Sequence, residues 1–258
     1  MKLAFALVSC LVLMLTGAAG AQAQSPANVT VNIIHDQSSG LLRVNGVPIH
    51  RFAGTPPADS GPLTDAVGVG QWLAEGENVI AVEVNGPAGS STRVVIVRGM
   101  DEPNLFEEKV AGSGKAQYKL ALKDVPRWGW FTAEPWTGDD KSLLAAVAAL
   151  HAAYAKGDVK TIIALYQPFD DDLKPYTGSV LEGAAEGLAG TLKGATVAPL
   201  PASPRVERFY GNRLFVVEGP DAAPPIVVTN ESVVQGQPVL QSGQFWIRKQ
   251  GKWWIIRP

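Results

Sequence analysis

Gln244-Phe-Trp-Ile-Arg-Lys-Gln-Gly-Lys-Trp-Trp-Ile-Ile-Arg-Pro258 is two runs of aromatic and β-branched residues on either side of Gln250-Gly251, where glycine admits the positive φ of a tight turn. The β-hairpin this predicts puts Phe245, Ile247 and Lys249 on one face of its first strand and Trp246 and Arg248 on the other. On the return strand, Trp253, Ile255 and Arg257 separate from Trp254 and Ile256 in the same way. Three of the chain's seven tryptophans lie here, and a two-stranded ribbon this apolar is stable only within a larger, covered sheet. The hairpin therefore closes a domain core, and the consecutive Trp253 and Trp254 must have different partners.

Toward the N-terminus more sheet is expected: Arg205 to Tyr210 and Arg213 to Glu218 flank Gly211-Asn212, and Pro225 to Thr229 supplies another strand. Ahead of the sheet the apolar period changes from two to about 3.6. From Asp139, Leu143, Val147, Leu150 and Tyr154 define one helix face, with Leu144 and His151 beside it. Gly157 terminates this helix, and Asp158 caps a second that carries Ile162, Ile163, Leu165 and Tyr166 and ends at Pro168. A third helix is expected over Val180 to Lys193, although Gly183, Gly187 and Gly190 weaken it. Helices followed by an antiparallel sheet predict an α+β layer domain over 139–258 whose sheet wraps around the helices.

Leu143-Leu144-Ala145-Ala146, Tyr154-Ala155-Lys156-Gly157-Asp158 and Ala164-Leu165-Tyr166, closed by Phe245 to Trp253, resemble the nuclear transport factor 2-like superfamily, including its SnoaL-like and ketosteroid-isomerase-like branches. The resemblance covers both ends of 139–258 and implies a conical α+β fold with a curved antiparallel sheet and an apolar pocket at its open end. Some members use a pocket acid, histidine or tyrosine for proton transfer, which requires a base near neutral poise beside a group that stabilises oxyanion charge. His151, Tyr154, Tyr166 and Tyr176 are the residue types available for such a pocket, and Trp246, Trp253 and Trp254 are candidates for its wall. No local motif matches the catalytic pattern of any one branch, so no catalytic residue is assigned. His151, beside an apolar helix face, reads more simply as a core or rim histidine.

The region 27–136 is expected to be β-rich. Val29 to Ile34, Leu41 to Val44, Val79 to Val84, Arg93 to Val97 and Gln117 to Leu122 are short strands separated by Gly, Pro, Asn and Ser clusters, which together predict an antiparallel β-sandwich. Gln71-Trp72-Leu73-Ala74-Glu75-Gly76-Glu77-Asn78 leading into Val79-Ile80-Ala81-Val82-Glu83-Val84, with Leu42-Arg43-Val44-Asn45-Gly46 before it, resembles galactose-binding-like jelly-roll modules. Alternation would place Val79, Ala81 and either Val82 or Val84 in the core, with Gly76 and Asn78 forming a turn. Trp128, Trp130, Phe131 and Trp136 can stack on sugar rings, but sealing the sandwich or a contact between domains explains them more simply. Pro135, Gly138 and Asp139-Asp140 mark the expected boundary.

At the start of the chain, Lys2, the apolar run Leu3 to Leu15 and the small residues ending Ala21-Gln22-Ala23 have the order of a secretory signal peptide over 1–23, predicting export to a periplasm or the extracellular space. Leu7-Val8-Ser9-Cys10 looks like a lipobox but leaves too short an apolar stretch before it. Cys10 is the single cysteine, so the mature chain has neither disulfides nor cysteine chemistry. Cleavage removes Lys2 and no acid, leaving 21 basic against 24 acidic side chains, a charge of −3 with no basic tract, which argues against nucleic acid. No later stretch is long enough for a membrane span.

Asp170-Asp171-Asp172 lacks the ligand spacing of a calcium loop and reads as a solvated loop or helix cap. His35, His50 and His151 are too far apart for a local zinc signature, and neither a Gly-x-Ser-x-Gly elbow nor a phosphate loop is present. No metal or cofactor is expected. The favoured expectation is an exported two-domain binding or interaction protein whose partner is a small apolar ligand or another protein. Two other classes remain open: a small-molecule isomerase, dehydratase or hydrolase using the conical pocket, and a carbohydrate-binding accessory protein.

Overall fold

Short strands dominate the N-terminal half: β1 (Val29–Asp36), β2 (Ser39–Val44), β3 (Val47–Phe52), β4 (Leu63–Gly68), β5 (Gly76–Asn85), β6 (Ser91–Arg98), β7 (Phe106–Ala111) and β8 (Gly114–Leu122). They come from a computed structural model that describes residues 28–56, 61–99, 102–235 and 237–257; the expected signal segment, Cys10 and the expected cleavage after Ala23 lie outside the described residues. The strands form two four-stranded antiparallel sheets, ordered β4-β1-β6-β7 and β3-β2-β5-β8. Asn45 and Gly46 join β2 to β3 with φ of 52° and 85°, the positive values a two-residue hairpin turn demands. Pro48 is tolerated in β3 because β3 is an edge strand and its register slips beside it, between Leu42 and Arg43.

On β5, Ala81, Val82 and Val84 are buried as expected, but Val79 is not, and Asn78 is buried in the strand instead of forming a turn. Asn78 is a fully buried strand residue: its amide nitrogen donates to the carbonyls of Ala74 (2.8 Å) and Leu120 (3.3 Å), and its oxygen accepts from the Ala74 N–H (2.7 Å). Satisfying this amide fixes the pleat, so Ile80, Val82 and Val84 follow Asn78 inward, while Val79 is half-buried and Ala81 is buried on the opposite face. Asn45 closes the network, accepting from the Val79 N–H (2.8 Å) and donating to the Asn78 side chain (2.9 Å).

The chain divides into two compact units at Arg127/Trp128, so Trp128, Trp130, Phe131 and Trp136, expected at the end of a 27–136 domain, belong to the C-terminal unit. That unit contains α1 (Gly129–Thr132), α2 (Lys141–Lys156), α3 (Val159–Leu165), α4 (Gln167–Thr177) and α5 (Ala184–Leu192). These are followed by β9 (Thr196–Val197), β10 (Arg205–Phe209), β11 (Leu214–Glu218), β12 (Ile226–Thr229), β13 (Pro238–Ser242), β14 (Phe245–Lys249) and β15 (Lys252–Ile255). With strand at 40% and helix at 23%, the chain is β-rich, and among the described residues the five α-helices all lie in the C-terminal unit.

Leu143, Val147, Leu150 and Tyr154 on α2 are buried, Gly157 ends the helix with φ 64°, and the Asp158 carboxylate caps α3 at the Thr161 N–H (3.1 Å). Pro168 begins α4 rather than ending the helical region, because a residue without an N–H fits a helix's first turn. The three aspartates are consequently helical and only Asp171 is exposed. Buried Asp170 accepts from Ser179 Oγ (2.9 Å) and the Leu181 N–H (3.0 Å), and Asp172 accepts from the Gly129 N–H (2.5 Å), so the run is not a solvated loop.

The strands form sheets ordered β10-β11-β14-β15 and β13-β12-β9. Ser242-Gly243-Gln244 carries the chain from one into the other, with Gly243 at φ 77° and the Val217 N–H donating to the Gln244 carbonyl (2.8 Å) across the junction. Trp246 pairs with Ile255 and Arg248 with Trp253, placing these four on one face; Ile247 and Trp254 share the other. The first face joins Trp246, Trp253 and Ile255 to Leu143, Leu150, Tyr154 and Phe215 in one core. Leu214, Val216, Phe245 and Ile247 on the second face are also buried.

A strap over Trp128 to Asp140 runs along the hairpin ends of this sheet. The Glu134 N–H donates to Arg248 O (2.8 Å) and the Trp136 N–H to Asn212 O (2.9 Å). The Arg248 guanidinium pairs with Glu134 (2.9 Å) and lies 4.5 Å from the Trp136 ring centre, while Arg208 donates to Gly138 O (2.8 Å) and Asp140 (2.7 Å).

Candidate functional site

Among the seven residues singled out from the sequence, Tyr154 and Tyr166 are brought together. Tyr154 projects from the buried face of α2, and Tyr166 sits where α3 meets α4; their hydroxyls are 3.3 Å apart. Ser242, the last residue of β13, completes the group through a short hydrogen bond between its Oγ and the Tyr166 Oη. All three residues are buried. Burial pushes both phenols up, that of Tyr166 well above its ordinary value, so both stay protonated at neutral pH.

Nothing in the residue pattern marked Ser242. A serine at a strand end is an ordinary turn residue, and only the sheet's change of direction at Gly243 points it toward the helices.

The other candidates lie apart from this relay. His151 donates from Nε2 to the Ala198 carbonyl (2.8 Å), which fixes its tautomer and ties α2 to the segment after β9. Half-buried Tyr176, on α4, packs against Trp128 with ring centres 5.9 Å apart. Trp246 is fully buried and its indole donates to the Gly243 carbonyl (2.6 Å), at the sheet's change of direction. Trp253 donates to Ser142 Oγ (3.2 Å) and meets Phe215 and Trp136 edge-on at 5.0 and 6.3 Å. Trp254, on the opposite face, donates to the Lys249 carbonyl (3.0 Å). The hairpin tryptophans thus have different partners, as alternation requires.

Chemically, the relay is a line of neutral hydroxyls in an apolar core. It can donate to or accept from a polar group, and among the described residues each phenol's hydrogen-bond partners are hydroxyls. Buried Asp170 is engaged by Ser179 and Leu181 instead. Among the described residues no three His, Cys, Asp or Glu side chains are grouped so as to hold a metal ion, and no helix is long and apolar enough to cross a membrane. In comparisons with known proteins, no family model, curated protein or solved structure matched the chain.

Proposed function

We propose that the chain is an exported two-domain binding protein. Its N-terminal domain would be a galactose-binding-like jelly roll, and its C-terminal domain a conical nuclear transport factor 2-like fold that takes a small apolar ligand. The observation that carries the binding reading is the Tyr154–Tyr166–Ser242 relay: an apolar interior with a polar stripe recognises an apolar molecule bearing a hydrogen-bonding group. Further support comes from the strand orders. β4-β1-β6-β7 and β3-β2-β5-β8 are the arrangement in which two antiparallel sheets can face each other, and the joining of two sheets through Gly243 suits a sheet curved around α2.

Native mass spectrometry of the full-length chain, recovered from the exported fraction, tests the reading. A retained small apolar compound, lost from Tyr166→Phe and kept by Trp254→Ala, is the expected result. Conversion of that compound on incubation with the protein would overturn binding in favour of enzymatic turnover. Recovery of the protein only from the cytoplasm would overturn export.

A further inference from the structure

Two histidines fifteen positions apart in sequence meet one carboxylate in the N-terminal unit. His35, near the end of β1, approaches Asp65 Oδ2 through Nε2 at 3.1 Å; His50 on β3 approaches Asp65 Oδ1 through Nε2 at 3.4 Å. Asp65 belongs to β4, in the sheet that contains β1, whereas β3 is the edge of the other sheet. One carboxylate therefore links the edges of both sheets, using a different oxygen for each.

The two contacts differ. The His35 side chain is 1% exposed, its Nε2–H donates to Asp65, its ring lies 5.0 Å from that of Phe52, and its Nδ1 has no hydrogen-bond partner. A second proton on His35 would place an N–H in an enclosed site without an acceptor. His50 is 30% exposed, and its Nε2 is close to the carboxylate but not aligned for a hydrogen bond. A charge on the ring would strengthen its hold on Asp65 at this separation.

The strand neighbours of His35 are Leu63 on β4 and Thr92 on β6, both uncharged. Asp36 and Arg51 are one position along on β1 and β3 and are exposed, and Arg93 is opposite Ile34, on the other face of β1. The polar contact from His50 first, and then that from His35, hold the Asp65 carboxyl below its ordinary range despite partial burial.

We propose that His35, Asp65 and His50 form an acid-responsive clasp between the two sheets of the N-terminal unit, tightest at mildly acidic pH and released in strong acid. A charged imidazole attracts a carboxylate more strongly than a neutral one, so the attraction of His50 for Asp65 grows as the ring gains its proton. Because the folded state lowers the Asp65 value, its contribution is present above the ordinary 3.8 and is lost as pH falls through the folded value.

Two measurements on the full-length chain test this. In urea unfolding of the N-terminal unit, His50→Gln is expected to lower the midpoint at least twice as much at pH 5 as at pH 8, with the difference shrinking below pH 3. In the Asp65→Asn background the same substitution should show no such pH dependence. Histidine ring-proton NMR titration supplies a readout independent of unfolding: Asp65→Asn should move the His50 titration to lower pH. A His50→Gln effect of equal size at pH 5 and 8, or a His50 titration unmoved by Asp65→Asn, would overturn the clasp.

Discussion

A phenol at the centre of a buried relay matters more than one at its end. Tyr166→Phe strands Ser242 and Tyr154 together, each losing a buried partner, and is expected to cost about 1–3 kcal/mol in urea unfolding of the C-terminal unit. Tyr154→Phe breaks only the longer contact and should cost less. Asp172 makes a prediction of opposite sign to most carboxylates. Burial is the largest influence on it and raises its carboxyl above 3.8, outweighing the Gly129 N–H and Lys249. A raised value favours the protonated form on folding, so its contribution is present below 3.8 and lost as pH rises through the folded value. Asp172→Asn keeps an acceptor for the Gly129 N–H. It should therefore raise the unfolding midpoint at pH 7 and flatten its dependence between pH 4 and 7; a lower midpoint at pH 7 would contradict the burial account.

At the scale of elements, the terminal hairpin separates its two tryptophans. Trp253→Ala removes a ring seated against Phe215, Trp136 and Ser142 and is expected to cost about 3–5 kcal/mol; Trp254→Ala, at a residue itself only half-buried, should cost clearly less. Similar midpoint shifts for the two variants would contradict the register. This hairpin and α2 were legible because each is a local pattern: alternation around Gln250-Gly251, and a 3.6 period from Leu143 to Tyr154 closed by Gly157. What escaped depends on distant partners. The buried face of β5 is decided by the amide of Asn78 bonding to Leu120, 42 residues away, and β3 hides behind Pro48, whose missing donor is harmless only on an edge. Pro168 has the same chemistry whether it ends a helix or begins one. Tyr154 and Tyr166 were legible from their helix positions, whereas Tyr176 fell outside every expected helix and Ser242 reaches the tyrosines only through the direction the sheet takes after it.

Across the whole molecule, the strap makes the natural cut earlier than composition suggested. A change to Pro, Gly and paired acids marks residues 133–141, yet Glu134, Trp136, Gly138 and Asp140 bond to the arginines and hairpin ends of the C-terminal sheet. A fragment of residues 128–258 is therefore expected to unfold cooperatively, and one of residues 139–258 at a markedly lower urea concentration; indistinguishable midpoints would show the strap to be dispensable. β11 carries a consequence of another kind. Leu214 to Glu218 are all buried, and the strand is paired with β10 on one side and β14 on the other. Water reaches neither its faces nor its edges, so local fraying cannot expose its peptide groups. In deuterated buffer the Phe215 and Val216 amides should be among the last of the C-terminal unit to exchange, at rates that follow the unfolding of the whole unit as denaturant is added.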